Sequence, residues 1–121
     1  MRSPDLLVLK ARRKRFNGMV EQAVRGLPPA VQRALQNVAI VVEEEPDSEP
    51  DLLGLYEGIP QAERSSADIT IPDRIVLYRG PIERSFPDEA ERREQIRITL
   101  LHEIGHHIGL DEDGLDRIGL G

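Results

Sequence analysis

The stretch LLHEIGHHIGLDED, Leu100 to Asp113, decides how this chain is read. His102 and His106 stand four residues apart, and Glu103 follows the first of them. His107 comes directly after the second, then Gly109, then the carboxylates Asp111, Glu112 and Asp113. On a wheel of about 100° per residue, Thr99, His102, Glu103 and His106 share one narrow face. Ile96, Leu100, Leu101, Ile104 and Ile108 fill much of the remainder. A helix this apolar belongs at the centre of a domain. Its polar stripe then faces a core or cleft, where polar groups are costly unless something satisfies them. Arg97 interrupts the apolar surface, and its charged end is expected to reach solvent.

A zinc ion would satisfy that stripe. Histidines one helical turn apart can aim a ring nitrogen each at one ion, at about 2.0–2.1 Å. Glu103 lies on the same side, offset along the axis, where it can take a proton from a water on the metal. Zinc lowers the pKa of that water to about 7, so a nucleophile is available at neutral pH. His-Glu-x-x-His on a helix is the arrangement of metallopeptidases. The sequence thus expects His102 and His106 as metal ligands, Glu103 as general base and Zn2+ as cofactor. All three histidines of the chain fall in this segment. His107 lies about 100° round the helix from His106 and is expected to point away from the ion and to pack or hydrogen-bond.

A catalytic zinc site wants a third protein ligand. The run His102-Glu103-x-x-His106-x-x-Gly109-x-x-Glu112 resembles the extended motif of zincins, in which the third ligand follows a glycine turn. On that resemblance Glu112 is the first candidate, with Asp113 and then Asp111 as alternatives, and Asp116 more distant. The metzincin version ends in histidine with a methionine turn downstream, which this chain does not match. The gluzincin plan needs a glutamate on a later helix, and no such helix is expected in this chain.

Upstream, Pro87-Asp88 opens the long helix, with Asp88, Glu89 and Glu91 suited to its positive N-terminus. It is expected to end near His107 or Ile108, with Gly109 as a left-handed cap. Three strands are expected: Val38–Val42, Asp51–Gly58 with a possible bulge at Gly54, and Asp73–Gly80 closed by Gly80-Pro81. The apolar spacing Phe16, Met19, Val20, Ala23, Val24 predicts a helix from Arg12 to Arg25. PPAVQRAL starts a short second helix. The acidic run Glu43–Pro50 is read as a loop, because its prolines stop helix and central strand.

The chain has 121 residues and a net charge of −6, with no cysteine. One domain over 1–121 is expected, with residues 1–11 or so as a flexible basic arm. The acidic balance makes nucleic-acid partners unlikely, despite the basic run KARRKR from Lys10 to Arg15. Absence of cysteine excludes thiolate ligands and disulfides. Leu6–Leu9 is too short for the apolar core of a signal peptide, and no stretch is long enough to span a membrane. A cytoplasmic protein is expected.

The segments RFNGMVEQAVRGLPPAVQRALQNVAIVVEEEP, DLLGLYEGIPQAER, RIVLYRGPIER and ITLLHEIGHHIGLDEDGLDRIG together resemble the minimal zincins, small bacterial zincin-like metallopeptidases. In that family the acid three residues past the glycine is usually aspartate, whereas Glu112 stands there in this chain. The resemblance implies an α+β fold: a small mixed sheet packed on helices, with the motif on a long C-terminal helix. It implies a peptide or protein substrate laid along an edge strand by strand addition. RIVLYRG is the candidate edge. Tyr78, Arg79 or Tyr56 could stabilise an oxyanion there, but each taken singly is expected to do ordinary structural work, the tyrosines packing a sparse core and the arginine reaching solvent. The rival reading is a non-catalytic metal-binding or protein-interaction module on the same scaffold.

Overall fold

The structure is a computed structural model that describes residues 5–58 and 73–108. In order, the elements are α1 (Leu6–Arg25), α2 (Pro29–Ala34), β1 (Val38–Glu43), β2 (Gly54–Glu57), β3 (Asp73–Tyr78), α3 (Arg79–Ser85) and α4 (Glu89–His107). The fold is α+β, with the motif on the long helix α4, as the sequence expects.

The sheet is mixed and ordered β1-β3-β2. β1 and β3 run parallel with Ile40 opposite Ile75, and β2 runs antiparallel to β3 with Tyr56 opposite Ile75. This corrects one expectation. RIVLYRG supplies the central strand, not an edge. Ile75, Val76 and Leu77 are fully buried, so both faces of β3 are covered, as a central strand requires. Among the described residues, the edge strand beside α4 is β2. Gly54 carries no bulge; it pairs in register with Leu77.

Side chains alternate across a strand. Ile75 packs with Leu27, Val31, Leu100 and Ile104, while Leu77 packs with Phe16, Met19, Val20, Ile82 and Ile96. Val38, Ile40 and Val42 of β1 and Tyr56 of β2 face the same helical layer. Tyr78 has the opposite parity and lies on the other face of the sheet, with Arg74 and Val76.

Helix α4 is the axis of that layer. Ile96, Leu100 and Ile104 have no exposure at all, and Arg97 reaches solvent, where it pairs with Glu94. The Asp88 side chain caps the helix by accepting from the Glu91 N–H at 3.0 Å. Pro87 therefore stands just before the cap and not in the first turn.

The expected basic arm is corrected from Leu6 onward. Asp5 caps α1 by accepting from the Leu7 N–H at 2.8 Å, and the strong helix formers of KARRKR continue the helix. The run is thus helical, and it reaches across the molecule: Arg13 pairs with Glu44 at 2.7 Å and Arg15 pairs with Glu89. Helix α3 is also new. Gly80-Pro81 does not close a strand; both sit in the first turn of α3, where proline's missing N–H is no loss. Arg79 and Arg84 of α3 hold the acidic loop through Glu44 and Glu45. Among the described residues no helix is long and apolar enough to cross a membrane.

Candidate metal centre

His102 and His106 stand side by side on α4, with ring centroids 4.8 Å apart and planes tilted by 55°. His102 is partly buried and His106 is exposed. The helix thus presents two imidazoles at its accessible edge. Glu103 lies behind them, only 6% exposed, with its Oε1 3.5 Å from His106 Nδ1. A carboxylate at that depth is protected from bulk water yet stays within reach of whatever the two rings hold.

The cover over Glu103 is the edge strand. Gly54 packs so close to α4 that a Cβ there would stand 2.7 Å from Thr99 Cγ2 and 3.5 Å from Glu103 Cγ. Thr99, one turn before Glu103, is itself buried. Glycine at position 54 is therefore what lets β2 lie directly on the polar stripe of α4.

The donor set fits zinc as far as it is described. Two imidazoles at i and i+4 are suitable nitrogen ligands, and a carboxylate that need not ligate stands beside them. Among the described residues no group of three or more histidine, cysteine or acidic side chains gathers as a metal site. The expected third ligand Glu112, its alternatives Asp113 and Asp111, and the turn at Gly109 lie outside the described residues.

His107 points the other way, as its place on the helix predicts. It is 3% exposed, with Nδ1 2.7 Å from Asp73 Oδ2 and Nε2 3.1 Å from the Ala34 carbonyl oxygen. The Tyr56 hydroxyl donates to the same Asp73 Oδ2 at 2.8 Å. Sequence reading misses Asp73, because an acid at the start of an apolar strand looks like a solvated turn residue.

Each of the three oxyanion candidates is either paired elsewhere or turned to the far face of the sheet. The Tyr56 hydroxyl serves Asp73. Arg79 is largely buried between Glu44 and Glu83 in α3. Tyr78 lies on the far face of the sheet from α4, where burial, together with the charges of Glu43, Glu57 and Asp47, pushes its hydroxyl above its ordinary pKa.

A family model described as zincin-like metallopeptidase matches residues 35–121. That span starts at the end of α2 and takes in the sheet, α3, α4 and the segment beyond. No curated protein matches the chain. Among solved structures, a "conserved hypothetical protein" from Thermo thermophilus is similar, with 28% identity and a TM-score of 0.58. The likeness covers 80% of this chain and 94% of that one.

Proposed function

We propose, from the premise that this chain belongs to the zincin-like metallopeptidase family, that it hydrolyses peptide bonds in a zinc-dependent reaction. The observation that carries the reading is the grouping of His102, His106 and the buried Glu103 on one face of α4, under the edge strand β2. His102 and His106 would hold the ion, with Glu112 as third ligand and Asp113 or Asp111 as the alternatives. Zinc held there would supply an acidified water and Lewis-acid assistance for the scissile carbonyl.

The chain's own residues do the rest. Glu103 accepts the proton of the attacking water on a carboxylate oxygen, and then delivers it to the leaving amine. Its burial under Gly54 keeps competing water away and limits it to a few orientations. β2 is at the sheet's margin, with β3 on one side and, among the described residues, no strand on the other. An extended peptide adding to that margin would pass over the two histidines, held by main-chain hydrogen bonds.

The test is hydrolysis of a broad peptide library by zinc-loaded wild type and by Glu103→Ala. Cleavage by the wild type alone supports the proposal. A specific observation favours a second reading: the Tyr56 hydroxyl serves Asp73, Arg79 is paired with Glu44 and Glu83, and Tyr78 lies on the far face of the sheet, so none of these three stands ready as an oxyanion donor. If the zinc-loaded wild type cleaves nothing, a metal-dependent binding module on this scaffold becomes the better account.

A further inference from the structure

Helix α4 ends at His107, so His106 sits in its last turn. Last turns of helices fray, because their carbonyls lack intrahelical partners. Gly105 adds to this, since glycine is the poorest helix former after proline. Yet the spacing between His102 and His106 exists only while this turn stays wound. Something must hold it.

We infer that the buried junction of His107, Asp73 and Tyr56 is the positioning device that keeps His106 in register with His102. The inference rests on the reading of those two histidines as metal ligands. Its basis is the geometry around His107. The Ala34 carbonyl can only accept, so Nε2 donates to it, and Nδ1 lies 2.7 Å from Asp73 Oδ2. One ring thereby bolts the last turn of α4 to the end of α2 and to the start of β3. Tyr56 brings the edge strand to the same carboxylate oxygen, and its ring lies 5.8 Å from that of His107. Gly58 closes the junction: its φ is +153°, and a Cβ there would stand 2.4 Å from Asp73 Oδ1.

An apolar residue at position 107 would fill the space but would not fix direction. Polar contacts to groups on two different elements do fix it, because a buried polar group is satisfied in one arrangement and penalised in others. The edge strand and the ligand-bearing turn are referred to one oxygen atom. The two parts of the site that must stay aligned therefore share a reference point.

The experiment compares zinc affinity, by chelator competition, in wild type, His107→Gln, Asp73→Asn and Ile82→Ala. Ile82 is fully buried in the other core cluster, so its variant controls for general loss of stability. Amide exchange across residues 104–108 is followed in the metal-free proteins. The expected result is a loss of zinc affinity of about tenfold or more in the two junction variants, on the scale known for residues that orient metal ligands. Amides of the last turn exchange faster in both, while Ile82→Ala keeps its zinc affinity. Junction variants that bind zinc like wild type, or that lose no more than Ile82→Ala, overturn the inference. Should His107→Gln fail to fold, Asp73→Asn decides. A wild type that binds no zinc overturns the metal reading instead. Exchange in the metal-free proteins then decides whether the junction holds the turn, and unchanged exchange rejects it.

Discussion

Gly54 of the edge strand lies directly against Thr99 of the motif helix, one turn before Glu103, with room for nothing larger than a hydrogen between the strand backbone and the Thr99 methyl. A methyl group there would meet Thr99 Cγ2 at 2.7 Å and the Val76 carbonyl oxygen at 3.1 Å. The carbonyl belongs to the central strand and has little freedom to yield. Gly54→Ala is therefore expected to destabilise the protein by about 1–3 kcal/mol, the usual cost of overpacking. Urea unfolding reads this directly. Because the displaced strand also covers Glu103, the proposed general base, hydrolysis should fall further than the folded fraction does. A variant as stable as wild type would show that β2 and α4 are less tightly opposed than the structure has them.

Replacing Glu103 separates chemistry from metal binding. Its carboxylate is assigned to the proton, with no part in ligation, so Glu103→Ala should keep zinc affinity close to wild type. Peptide hydrolysis should drop about 100- to 10,000-fold, as for loss of a general base. Loss of zinc together with activity would make Glu103 a ligand and remove it from the role of general base.

The third ligand is settled by three alanine variants. Glu112→Ala is expected to weaken zinc binding more than Asp113→Ala, and Asp113→Ala more than Asp111→Ala. The order follows the Gly-x-x-acid spacing after His106. Chelator competition gives the three affinities, and equal values would reject the assignment.

The acidic loop gives a pH dependence of known sign. Burial pushes the Glu44 carboxyl up, but the hydrogen bond and charge of Arg79, followed by those of Arg13, outweigh it. The group titrates below its ordinary value of 4.5. A carboxylate depressed in the folded state adds stability above its unfolded pKa and loses it as pH falls through the folded one. Wild type should thus exceed Glu44→Gln in stability at neutral pH, and the gap should close as pH drops below 4.5. Denaturant midpoints across that range measure it, and a gap that persists in strong acid would contradict the pairing.

What can be read in the sequence is what repeats along one element. The period of Ile96, Leu100 and Ile104 identifies α4, and the same period turns His107 away from His102 and His106. Long-range partners carry no such period. Asp73 and His107 are 34 residues apart, and nothing near either announces the other. Strand order escapes for the same reason: the apolar run in β3 says that it is buried, while its place between β1 and β2 depends on pairings that no local pattern encodes. Helix α3 is missed because Gly80-Pro81 is an ordinary stop signal and only context shows it as a first turn. The start of α1 is hidden by charge, since Lys10 to Arg15 offers no apolar period although each residue suits a helix.

The central claim is that α4 carries a metal site, and metal content tests it most directly. The wild type is equilibrated with zinc at neutral pH, freed of unbound ion and assayed for metal. About one zinc per chain is expected, as for a single site of three protein ligands, and almost none in the double variant His102→Ala, His106→Ala. A wild type that emerges without metal, or a double variant that keeps a full complement, would contradict the account.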